Sequence, residues 1–240
     1  MDATATSQLA ENLAAVRDRM ARAAARAGRE ASAARLVAVT KKAPIEAVRA
    51  LAELGAIDLG ENYPQELARK VEAMADVPNL RWHLIGHLQG NKARRTLPLV
   101  HLIHSVDSLK LLRAIDALAG EEGAGPIERA PMVCLQANVS GEASKFGWSA
   151  AGLRQDAEAI ASLSRVRVVG LMTIAPFDTD NESARPTFAA LRLLRDDLRA
   201  RTGLALDELS MGMSNDFESA IAEGATLARV GSALFEGVRP

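Results

Sequence analysis

The chain is short of cysteine, of surplus charge and of long apolar runs. Its one cysteine, Cys134, excludes an intramolecular disulfide framework and cannot furnish a cysteine-rich zinc site. Lys plus Arg number 29 against 30 Asp plus Glu, a formal net charge of −1. The basic surplus of a dedicated nucleic-acid binder is therefore missing. No stretch approaches the ~20 consecutive apolar residues of a membrane span. The first residues, MDATATSQLAENLAAVRDRM, have neither the basic start nor the apolar run of a secretory signal, and Asp2 and Glu11 argue against a transit peptide. The expectation is a cytoplasmic protein without nucleic-acid or membrane partners.

What is present suits a single globular domain over 1–240. The 240 residues are 48% hydrophobic and 25% charged, enough to build a substantial core. A stretch at 120–131 (GEEGAGPIERAP) reads as one loop, because apolar segments resume on both sides.

Eight short apolar runs, at 36–40, 56–60, 80–85, 102–106, 132–139, 166–174, 208–213 and 227–234, alternate with helix-like segments such as 45–54, 108–119, 151–163 and 185–201. Near-continuous apolar strands separated by helices predict a parallel sheet. Eight such units in about 250 residues predict an α/β fold, the (β/α)₈ TIM barrel. An open doubly wound sheet is the alternative, but no G-x-G-x-x-G follows the first run. Leu9, Leu13, Val16 and Met20 form one apolar stripe and predict an extra N-terminal helix.

Such a barrel carries its chemistry at the C-terminal ends of its strands. Thr40-Lys41-Lys42 follows the first run. A lysine there is expected in reduced dielectric, where the amine becomes nucleophilic toward aldehydes. Alternation puts Val37, Val39 and Lys41 on one face and Ala38, Thr40 and Lys42 on the other, so one of the two lysines points inward. Asn62 follows the second run, either to bind a ligand or to cap the next helix. His83 and His87 are four apart, but no glutamate follows the first, so the metalloprotease motif is absent and no metal site is expected. The fourth run leads through His104-Ser105-Val106-Asp107-Ser108 to a candidate helix cap, and Cys134 reads as a small core residue. Ser214 follows the seventh run; Arg229, Gly231 and Ser232 close the eighth. Loops after strands 7 and 8 often bind phosphate through backbone N–H groups. The implied ligand is a phosphorylated aldehyde or ketone, either pyridoxal 5′-phosphate (PLP) or the sugar phosphate of a Schiff-base aldolase.

Seven segments carry a family resemblance: LVAVTKKAP (36–44), DLGENYPQEL (58–67), WHLIGHLQGNK (82–92), IHSVDS (103–108), ANVSGEASKFGW (137–148), GLMTIAP (170–176) and the long stretch from LSMGMSN to LFEG (209–237). On these the chain resembles the pyridoxal phosphate homeostasis proteins, relatives of the alanine racemase N-terminal barrel. The resemblance implies PLP as cofactor, held as a Schiff base on Lys41, three residues before Pro44. It places Asn62 beside the ring, Arg229 near the pyridine nitrogen, and Ser214, Gly231 and Ser232 on the phosphate. A cation at the pyridine nitrogen disfavours its protonation and weakens the ring as an electron sink. Lys42 and Ala43 stand where many relatives have Thr-Lys, and Phe146 and Trp148 make the SKFGW loop more aromatic. Lys145 in that loop is a candidate for assisting cofactor transfer.

The resemblance further implies a PLP carrier without assigned catalytic residues, with PLP-dependent apoenzymes as recipients. The alternative is a PLP-dependent enzyme of weak racemase-type activity. Alanine racemases take an opposing tyrosine from a second domain, whereas this sequence stops after its eighth unit and its only tyrosine is Tyr63. The expectation is accordingly a monomer without robust racemase activity.

Overall fold

The computed structural model describes residues 1–121, 130–142, 146–176 and 180–238; the loop read at 120–131 falls largely outside them. Among the described residues the strands are β1 (Arg35–Val39), β2 (Asp58–Glu61), β3 (Arg81–Leu84), β4 (Leu102–Val106), β5 (Met132–Gln136), β6 (Arg167–Met172), β7 (Glu208–Ser210) and β8 (Leu227–Val230). They pair in parallel in sequence order and close into a barrel, β8 lying beside β1 with Val37 opposite Arg229. This is the predicted (β/α)₈ barrel.

Alternation along each strand divides the side chains between two cores. Val37, Leu102, Cys134, Met172 and Leu227 plug the barrel interior. Their outward neighbours, among them Ala38, Leu59, Ile103, Leu135 and Val230, pack beneath the helices. The outer ring is α2 (Ile45–Glu53), α3 (Pro64–Ala73), α4 (Gly90–Thr96), α5 (Leu109–Ala119), α6 (Ala150–Ala161), α7 (Asn181–Thr202) and α8 (Phe217–Ala222). Ser108 caps α5 as expected, accepting the Leu111 amide at 3.3 Å. A 3-10 turn, Ser232–Leu234, follows β8.

The extra helix is α1 (Ala3–Arg26), capped by Asp2, whose side chain accepts the Ala5 amide at 2.7 Å. Its stripe of Leu9, Leu13, Val16 and Met20 is buried, each such side chain contributing about 1.5–3 kcal/mol. The stripe docks α1 against α8 and the turn after β8. Asn12 fixes the register by donating to the carbonyls of Leu234 (3.0 Å) and Glu236 (2.8 Å). The segment that carries Ser232 is thereby anchored from outside the barrel.

Several boundaries differ from the sequence reading, two of them for a clear local reason. The run at 208–213 yields a strand only to Ser210, because Gly212 adopts φ +93° and turns the chain. Helix α7 starts at Asn181 rather than 185, since Asp180 and Ser183 form a reciprocal capping box upstream of Pro186. No helix among the described residues is long and apolar enough to cross a membrane.

Candidate functional site

The six residues singled out from sequence, Lys41, Asn62, Ser214, Arg229, Gly231 and Ser232, all line one cleft of 850 Å³. It lies at the carboxyl ends of the strands and falls within the usual size range of small-molecule sites.

Lys41 lies two residues beyond the end of β1 and on the cleft wall with Val39, on the parity of Val37. Lys42 lines an adjoining groove with Ala43 and Pro44 and does not reach the cleft. Lys41 is nevertheless exposed. The low-dielectric setting anticipated for it is therefore not supplied by burial in the protein alone.

Behind Lys41 the chain is held rigidly. Lys70, from α3, is buried and donates at 2.6 Å both to the Thr40 carbonyl and to Glu61 Oε1. The Thr40 hydroxyl donates to the same Glu61 oxygen at 2.5 Å. A buried charge pair thus grips the backbone immediately before Lys41, while Glu61 Oε2 is buried and has no partner among the described residues.

Asn62 does not cap the next helix. Tyr63 occupies the N-cap position of α3, which has no side-chain capping bond, and Asn62 faces the cleft instead. Its backbone rests on the third βα turn.

The turns after β7 and β8 meet at Ser214. Its Oγ accepts the amides of Gly231 and Ala233, each at 3.3 Å. Two backbone donors and a hydroxyl converge there, a suitable cradle for an anion's oxygens. Ser214 does not cap α8, whose N-cap is Asp216. The turn that presents Ser214 depends on Gly212: a Cβ there would lie 2.7 Å from the Ala220 Cβ and 2.9 Å from the Phe217 Cα. Asp216 supports the same turn, its Oδ1 accepting the Met213 amide at 2.6 Å. Burial pushes the Asp216 carboxyl above its usual range.

Arg229 forms the floor. It is 4% exposed; its Nη1 donates to Ser210 Oγ at 2.6 Å and its Nη2 to the Thr173 carbonyl at 2.9 Å. Burial pushes the guanidinium down to about 10, partly countered by Asp216. It remains a cation at neutral pH, and no carboxylate pairs with it among the described residues. A buried guanidinium facing a cleft with neutral partners suits a ligand atom that accepts a hydrogen bond.

Sequence reading missed the Ala233 amide, which no side chain announces, and Gln136. The Gln136 amide donates to the Phe146 carbonyl at 3.1 Å, tying the aromatic loop to the cleft wall. Trp148 is buried beneath that loop, donating to Asp156 at 2.8 Å. Phe146 stacks on His87 with ring centroids 4.6 Å apart. Lys145 lies outside the described residues.

Comparison with known proteins supplies a further set of findings. Residues 12–240 match the family model for the alanine racemase N-terminal domain. A curated relative from Pseudomonas aeruginosa, a pyridoxal phosphate homeostasis protein, is 44% identical over 229 residues, covering 95% of each chain. The solved structure of PipY from Synechococcus elongatus with PLP bound is 38% identical, with a TM-score of 0.82 over 95% of this chain and 99% of that one. Alanine racemase from Corynebacterium glutamicum shares the fold at 16% identity and a TM-score of 0.67, over 95% of this chain but 60% of the racemase.

Proposed function

Because the chain belongs to the pyridoxal phosphate homeostasis family, built on the alanine racemase N-terminal domain, we propose that its cleft binds PLP and that the protein helps to maintain the cellular pool of that cofactor. The observation that carries the reading is the pairing of two features on adjoining strands. Lys41 lies after β1, and the donors converging on Ser214 bridge the turns after β7 and β8, all on one cleft wall.

The residues present fit the group. A phosphate monoester is received by the Ser214 hydroxyl and the amides of Gly231 and Ala233, with Ser232 beside them. Arg229 would offer its guanidinium to the ring nitrogen, and Asn62 would flank the ring. When bound, PLP supplies an aldehyde. Lys41 would be the residue that holds that aldehyde, as a Schiff base. The buried Lys70–Glu61 pair holds the backbone that aims Lys41. A guanidinium beside the ring nitrogen would disfavour its protonation, so the site would suit storing the cofactor rather than activating it.

In this reading the protein is a cytoplasmic, single-domain monomer that limits free aldehyde and passes cofactor to PLP-dependent apoenzymes. A weak racemase-type enzyme is the second reading, favoured by one observation: Tyr63, the chain's only tyrosine, lies on the cleft wall. Absorbance spectra test the proposal. Purified protein mixed with PLP develops a visible band that Lys41→Ala lacks and Lys42→Ala retains. The reverse pattern overturns the assignment of the lysine. Racemisation of an amino acid that disappears in Tyr63→Phe would favour the second reading.

A further inference from the structure

Beneath the cleft, the barrel interior contains a line of polar side chains that the proposed function does not use. Starting from Arg229, Ser210 Oγ lies 2.6 Å from His104 Nδ1. His104 Nε2 lies 2.9 Å from His83 Nδ1. His83 Nε2 lies 2.9 Å from Asp58 Oδ1, and Asp58 Oδ2 accepts Arg81 at 2.6 Å. Ser210, His104 and His83 are each 0% exposed and Asp58 is 5% exposed. The line crosses the barrel from the cleft toward the amino ends of the strands, against the apolar plug of Leu102, Cys134 and Met172.

The donor and acceptor roles along this line follow from its two ends. Arg229 can only donate, so Ser210 Oγ accepts from it and has its own proton left for His104 Nδ1. Asp58 is held as a carboxylate: burial alone would raise it, but hydrogen bonds from His83 and Arg81 outweigh that and keep it below its usual range. His83 Nε2 therefore carries the proton, His83 Nδ1 accepts, and His104 Nε2 donates to it. The carboxylate end requires, and the Arg229 end accommodates, the same neutral Nε2–H tautomer in both rings. The opposite polarity would need an imidazolium at His83, and a mixed polarity would set two lone pairs or two N–H groups face to face.

The surroundings disfavour that imidazolium. Burial is the largest effect lowering His83 and His104, and the cations Arg35 and Arg81 face His83. His104 is faced by His83, Arg229, Arg35 and His101. Of these, Arg35 pairs with Glu208, and His101 packs edge-on against His83. Cys134 stays a thiol, its ionisation pushed up by burial and then by Glu208.

We propose that Ser210, His104, His83 and Asp58 form a hydrogen-bonded chain of fixed polarity that locks the Arg229 guanidinium in place as a donor to the ring nitrogen of the ligand. The four are positioning residues; none touches the cleft's occupant. The consequence is selectivity for a ring atom with a free lone pair. The role toward the ring rests on the proposed function, whereas the polarity of the chain does not.

Two measurements test it. Nitrogen-15 spectra of the histidine rings in ligand-free wild-type protein, assigned with His83→Gln and His104→Gln, give both rings as neutral Nε2–H tautomers between about pH 8 and pH 5.5. An Nδ1–H tautomer, or a ring that becomes cationic in that range, overturns the proposal. The second compares binding of PLP with binding of its analogue in which C–H replaces the ring nitrogen. Wild-type protein prefers PLP by roughly tenfold, the scale of one charge-assisted hydrogen bond. Ser210→Ala brings that ratio close to one, and Ser210→Thr, which keeps the hydroxyl, restores it. Equal weakening toward both molecules would mean a merely structural role and overturns the proposal. Wild-type protein that binds neither molecule would overturn the proposed function, and the ring spectra alone then decide the polarity.

Discussion

Ser214 Oγ accepts the Gly231 amide at 3.3 Å and so joins the turn after β7 to the turn after β8. The contact is long for a hydrogen bond, and the same oxygen takes the Ala233 amide at the same distance. Two donors directed at one hydroxyl form a site that a phosphate's acceptor oxygens satisfy better. Pairing of β7 with β8 brings the two turns together, and closure of the barrel through β8 and β1 sets this cradle one strand from Lys41.

Removing the hydroxyl should therefore weaken phosphate-bearing ligands selectively. Ser214→Ala lowers PLP affinity by roughly tenfold, as one hydrogen bond to a charged group is lost. Affinity for pyridoxal, which lacks the phosphate, stays the same within about twofold. Fluorescence titration with both compounds checks this; equal loss for both would place the phosphate elsewhere.

Gly86 carries the backbone of Asn62. A Cβ at position 86 would lie 2.2 Å from the Asn62 carbonyl oxygen and 2.8 Å from its Cα. The obstacle is backbone, so the second and third βα turns must separate. Gly86→Ala is expected to destabilise the fold by about 1–3 kcal/mol, the usual cost of overpacking. It also lowers ligand affinity by displacing Asn62. Thermal denaturation read alongside a binding titration measures both effects.

The Lys70–Glu61 pair gives a third expectation. Both side chains are fully buried, at 1% and 0% exposure. Lys70→Met leaves Glu61 without its cation and destabilises by about 3–5 kcal/mol, whereas pairing it with Glu61→Leu recovers much of the loss. Urea denaturation of the two single variants and the double variant provides the cycle. Additive losses would show that the pair does not act as a unit.

Stability should fall on mild acidification. His83 and His104 are buried neutral, with pKa values pushed below the ordinary histidine value of 6.5 by burial. Below about pH 6.5 the unfolded chain binds protons at these rings and the folded chain does not. Each ring then costs up to ~1.4 kcal/mol of stability per pH unit until its folded pKa is reached. Asp58, held low by His83 and Arg81, adds a loss in the same direction at lower pH. The decline in Tm from pH 7 to pH 5 is expected to be shallower in His104→Gln. An equal decline would locate the acid sensitivity elsewhere.

Much of this was legible in the sequence, for physical reasons that differ by residue. Parallel barrel strands are buried on both faces, so runs such as 102–106 stand out without any knowledge of their partners. That Lys41, Ser214 and Gly231 line the cleft was legible because the loops at the carboxyl ends of barrel strands build its mouth. Strand ends themselves were read too long: Gly212 ends β7 through a positive φ that hydropathy does not register. The Ala233 amide carries no side-chain signal at all. His83 and His104 sit at inward positions of their strands, and alternation alone assigns them to the interior. That they meet each other and Ser210 depends on barrel closure and register, properties of strand pairing rather than of any one segment.

The most direct test of the central claim is peptide mapping of protein loaded with PLP and then reduced with borohydride. Reduction fixes a C=N linkage as a stable secondary amine, so mass spectrometry identifies both the adduct and the residue that carries it. The account predicts one phosphopyridoxyl group, on Lys41. An adduct on Lys42 or another lysine, or no adduct from protein that has taken up the cofactor, would contradict it.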